Sequence, residues 1–119
     1  MHQGIQSKVD TIIQYGIASA RFEEKQKLMD LGPDMMSICF TAHDECFHPD
    51  KNFPPMELYA VHPRDELLMY AKEHVKKGVK TEVESFTTGA FWNIEWMRGL
   101  KDCPLQDPVY TILFMGWPG

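Results

Sequence analysis

VKTEVESFTTGAFWNIEWM, Val79 to Met97, is the stretch on which the reading of the fold turns. Val79, Thr81 and Val83 alternate with Lys80, Glu82 and Glu84, and a period of two marks a strand whose faces differ. After a turn at Thr87–Gly89, Ala90, Trp92, Ile94 and Trp96 alternate with Phe91, Asn93, Glu95 and Met97. Read as alternation, this second run is another strand and the whole stretch is a β-hairpin. The hairpin makes the sheet antiparallel, with one apolar, aromatic face and one acidic, wetter face.

Downstream, PVYTILFMGW is apolar on both flanks, with Val109, Leu113 and Met115 on one and Tyr110, Ile112 and Phe114 on the other. Such a strand is expected at the centre of a sheet, covered twice. Upstream, RDELLMYAKEHVKK predicts a helix over Arg64 to Lys77, with Pro63 opening it, Asp65 and Glu66 complementing its N-terminal dipole, and Gly78 closing it. Leu67, Leu68, Ala71 and Val75 form its expected buried stripe, with His74 at the edge. MMSICFTA (35–42) and MELYAVH (56–62) read as strands, separated by a loop that Pro49, Pro54 and Pro55 keep irregular.

Ile5, Val9, Ile12, Ile13, Ile17 and Ala20 recur at helical spacing, which predicts a long helix from Ser7 to Leu31, stopped by Gly32 and Pro33. A second line on that helix, Tyr15, Ala18, Phe22 and Met29, lies opposite the first. The expected architecture is therefore α+β in the order α-β-β-α-β-β-β: about five mainly antiparallel strands with two helices packed on one face. That order resembles roadblock-like and profilin-like domains, at the level of element order and with no family motif.

The chain reads as one domain, since 119 residues bury a core without staples. No apolar run reaches the roughly 20 residues of a membrane-spanning helix, so no membrane association is expected. The N-terminus lacks a secretory pattern, and the three cysteines are odd in number with no CxxC pair, which reads as cytoplasmic. A net charge of −5 makes nucleic acid an unlikely partner, and Lys72, Lys76, Lys77 and Lys80 are interleaved with Glu73 and Glu82.

Chemistry concentrates in AHDECFHPD, Ala42 to Asp50. His43, Cys46 and His48 are candidate metal ligands, with Asp44, Glu45, Asp50 or the more distant His62 able to complete a set. The same residues offer a thiol with a nearby base. No finger or protease signature surrounds them, so the stretch reads first as a polar loop and the chain as calling for no cofactor. Cys39, inside an apolar run, reads as core.

Two helices are too few to cover both faces of the sheet. The function expected from this shortage is a small protein-binding or regulatory module: an adaptor, an inhibitor or a dimeric scaffold. Its partner is another protein or a second copy, in a homodimer. Its binding residues are Tyr15, Phe22 and Met29 on the helix, and Phe91, Tyr110, Ile112 and Phe114 on the sheet. The alternative is a small metal-dependent or thiol hydrolase using the His43–Asp50 loop.

Overall fold

The computed structural model describes residues 2–16, 21–47 and 51–116. The hairpin expected over Val79–Met97 does not form. Lys80–Ser85 is a strand, β5, as predicted, but Gly89–Arg98 is a helix, α4. Ala90, Ile94 and Met97 are buried along one side of α4, at helical spacing, while Trp92 is 76% exposed. Ala90 and Ile94 are four residues apart, which fits either period. The opposite fates of Trp92 and Met97 show that the helical one holds. The Thr87 hydroxyl accepts a bond from the Gly89 N–H at 3.2 Å where the helix starts.

A helix after β5 carries the chain back over the sheet, so the next strand, β6 (Tyr110–Leu113), returns in the same direction. The same happens earlier. The long N-terminal helix expected over Ser7–Leu31 is instead a short helix α1 (His2–Gln6), a two-residue strand β1 (Gln14–Tyr15) and a helix α2 (Phe22–Met29). Ile17, Ala18 and Ala20 of that expectation lie outside the described residues. The β-branched run Thr11–Ile13 favours extended chain over helix. Ile13 anchors it: its N–H donates to the Asp34 carboxylate at 2.8 Å, and its carbonyl accepts from Asp34 N at 3.0 Å and Met35 N at 3.2 Å.

β2 (Met35–Cys39) pairs in parallel with β1 and β5, and β5 pairs in parallel with β6, giving a four-stranded sheet in the order β1-β2-β5-β6. β3 (His43–Phe47) and β4 (Met56–Ala60) form a separate antiparallel pair. The class is α+β with four helices among the described residues. The mainly antiparallel five-stranded sheet with two helices is overturned, and with it the resemblance that rested on element order. The terminal strand is not central either. β6 is the edge, with Tyr110 48% and Leu113 53% exposed.

The helix α3 runs from Arg64 to Lys77, as predicted, and Gly78 closes it at φ 70°, a left-handed conformation that glycine adopts without a Cβ clash. Leu67, Tyr70, Ala71 and His74 face inward. They meet Met36, Ile38 and Phe40 from β2 and its end, Val83 from β5, Met29 from α2, and Ala90, Ile94 and Met97 from α4. One face of the parallel sheet is thus the hydrophobic core. Cys39 is the register partner of Glu84, and Ser37 of Glu82, so these four side chains share the opposite face, where all are buried. No helix among the described residues is long and apolar enough to cross a membrane.

Candidate metal centre

The parallel sheet aligns the carboxyl ends of β2 and β5, and α/β sheets bind ligands beyond such ends. Cys39 is the last residue of β2. The chain turns through Thr41 and starts β3 at His43, which brings the imidazole back over the thiol. The Cys39 S–H donates to the Thr41 carbonyl at 3.0 Å, and His43 Nδ1 lies 3.3 Å from Cys39 Sγ. Glu45 is two residues further along β3 and therefore on the same strand face. Its carboxylate accepts from His43 Nε2–H at 2.7 Å, with side-chain exposures of only 3% and 5% for the pair. That bond places the proton on Nε2 and leaves the Nδ1 lone pair facing Cys39.

His62 arrives from the other strand of the pair. β4 runs antiparallel to β3 with Ala60 opposite His43, so the chain leaving β4 passes beside the start of β3. The His62 ring stacks on His43 at 5.7 Å between centroids, and Pro63 then caps α3. His62 Nε2 is buried and has no hydrogen-bond partner among the described residues. Phe86, just past β5, stacks on His43 at 4.0 Å, and Phe114 on Phe86 at 4.4 Å, so the His43 ring is held by its neighbours.

One ligand atom each from Cys39, His43 and His62 lie within 4.8 Å of one another. Zinc–sulfur and zinc–nitrogen bonds imply a tetrahedral edge of about 3.5 Å, so a contraction of about an ångström closes the site. One thiolate and two imidazoles form a donor set that suits a borderline-soft divalent ion. The Glu45–His43 bond is the outer-shell carboxylate that orients a metal-bound histidine. Burial pushes the His62 imidazole down to about 4, with Lys25 and His43 adding to the effect, so at neutral pH the ring is in its ligating form. Burial, with Glu84 adding to it, pushes the Cys39 thiol up to about 11, against the hydrogen bonds to Thr41. A thiol held that high and buried is a poor free nucleophile, whereas a metal would deprotonate it outright.

Of the three predicted ligands, His43 is in this cluster. Cys46 is not: it alternates with Glu45 on β3 and stands in register with Glu57 of β4. His48 lies outside the described residues. The stretch read first as a polar loop is largely strand β3, which is why its residues divide between two faces. Cys39 is buried, as expected, and its place at the end of β2 is what brings it to the site. The residues expected to bind a partner, in one strip on a helix and another on the sheet, are placed as follows. Met29 is in the core, Phe22 packs on Tyr70 at 5.3 Å, and Tyr15 is half-buried. Phe91 and Phe114 line a small cleft together, Ile112 is half-buried, and Tyr110 is exposed on β6.

A scan against protein-family models finds no match, and a search of curated proteins finds none either.

Proposed function

We propose that the protein is a metal-dependent enzyme of hydrolytic type, holding a zinc-like divalent ion through Cys39 Sγ, His43 Nδ1 and His62 Nε2. The observation that carries this reading is the buried, unpartnered Nε2 of His62 beside a thiol and an imidazole already oriented by a carboxylate. A buried polar atom without a partner is costly, and a metal ion satisfies it. Three protein ligands leave a coordination position for water or substrate, the arrangement of catalytic rather than structural zinc sites. When bound, the ion would polarise a carbonyl or phosphoryl group and make its water acidic. The protein's part is to fix the ligands and keep them dry: Glu45 orients His43, and Phe86 packs on its ring.

Cobalt(II) titration of the reduced protein tests this by the thiolate-to-cobalt absorption band. One equivalent should bind, and the band should vanish in Cys39→Ser. Glu45→Gln should keep the band but lower metal affinity about 10- to 100-fold, because the charge of the outer-shell carboxylate is lost while the ligands stay. A band that persists in Cys39→Ser, or no binding at all, would defeat the reading.

A further inference from the structure

The pairing of β5 with β6 carries on past the ends of both strands. Ser85 stands opposite Leu113, and the Phe114 N–H donates to the Ser85 carbonyl at 2.9 Å. Phe86 and Phe114, the next residue of each strand, therefore meet, and their rings stack at 4.4 Å with 1° between their planes. Phe86 also stacks on His43, at 4.0 Å and 6°. These two phenylalanines, with Phe91 of α4, Leu113 and Met115, wall a cleft of about 210 Å³. It lies at the carboxyl ends of β5 and β6, where α/β sheets bind ligands. Phe86 is common to the cleft and the metal centre: it lines the one and packs on a ligand of the other.

We propose that this cleft receives an uncharged aromatic ring of the substrate, so that the group to be hydrolysed is held at the metal. This deepens the metal reading above and rests on it. The lining decides the class of ligand. None of the described residues that line the cleft is charged, so an ionic group would lose its hydration there and gain no counter-charge. Two of its hydroxyls are engaged in the turn before α4. Ser85 Oγ donates to the Thr87 carbonyl at 2.9 Å, and Thr87 Oγ1 accepts from the Gly89 N–H. Phe91, Leu113 and Met115 are exposed, and an apolar cluster left exposed beside a cleft marks a contact site. The volume sets the size: an apolar cavity of about 150 Å³ takes up benzene, so this cleft holds a single ring with its attachment. Aromatic walls favour such a ring through stacked or edge-to-face contacts.

The test uses the full chain loaded with cobalt(II), with metal binding recorded first. Acetohydroxamate, which binds a metal ion and has no ring, is titrated against a series of phenylalkyl hydroxamates of increasing chain length, and the visible cobalt spectrum is followed. The best of the series should bind about tenfold or more tighter than acetohydroxamate, as expected for burying a phenyl ring. Leu113→Asp puts a charge in the cleft at an exposed position and should abolish that advantage while cobalt and acetohydroxamate bind as before. Phe91→Ala replaces it if that variant does not fold. No advantage for any phenyl compound, an advantage that survives the variant, or no hydroxamate binding by the cobalt-loaded protein overturns this proposal alone. So does a dimer in sedimentation that Leu113→Asp dissociates, since a second copy would then fill the cleft. Failure to bind cobalt overturns the metal reading and this proposal together.

Discussion

Zinc at about a thousand times its dissociation constant is expected to raise the free energy of unfolding by about 4 kcal/mol. The effect follows from where the ligands come from. Cys39 closes β2, His43 opens β3, and His62 joins β4 to α3, so the three are brought together only by the folded chain. An ion bound to all three stabilises the native state by mass action. The unfolded chain, with three cysteines and five histidines, has some zinc affinity of its own, and this reduces the gain. Urea denaturation under reducing conditions, with and without zinc, measures the difference. Cys39→Ala removes a single heavy atom, so it should keep the apo fold and lose most of the zinc effect. An equal zinc shift in wild type and Cys39→Ala would place the metal elsewhere.

Acid should weaken the fold through His74, independently of any metal. His74 is buried in the core side of α3, and its Nδ1 lies 3.0 Å from the Thr81 hydroxyl of β5. Burial, with Lys25 adding to it, pushes its pKa down to about 4 from 6.5. Between those two values the unfolded chain holds a proton that the native protein does not. Stability therefore falls as pH drops from 6.5, and the contribution is fully lost below 4. At 1.36 kcal/mol per unit the loss is roughly 3 kcal/mol. Denaturation curves for wild type and His74→Asn across this range isolate the contribution. The asparagine keeps a polar atom near Thr81 and does not titrate, so its curve should be flatter. Parallel curves would remove His74 from the account.

α3 is legible in the sequence because both of its ends carry their own chemistry, Pro63 with Asp65 and Glu66 at one and Lys76, Lys77 and Gly78 at the other. The stretch after β5 is not, because Ala90 and Ile94 satisfy two periods at once and the aromatic content of α4 favours a strand by propensity. That local ambiguity propagates. A hairpin there forces an antiparallel sheet, and a helix there forces a crossover and a parallel one. The N-terminal segment misleads for a related reason: isoleucines at helical spacing outweigh their own β-branched preference for extended chain.

The centre divides the same way. His43 and Glu45 can be read as a pair once the stretch is a strand, since residues two apart share a face. Cys39 cannot be told from a core cysteine, because what distinguishes it is its position at the carboxyl end of a parallel strand. His62 reaches the site through the pairing of β4 with β3, a long-range contact with no local mark.

Zinc-edge X-ray absorption on protein loaded with one equivalent of zinc tests the centre most directly. One sulfur at about 2.3 Å and nitrogen scatterers at about 2.0 Å are expected, with the sulfur lost in Cys39→Ser and the imidazole signal reduced in His62→Ala. A shell of nitrogen and oxygen alone, or a sulfur signal that survives replacement of Cys39, would contradict the account.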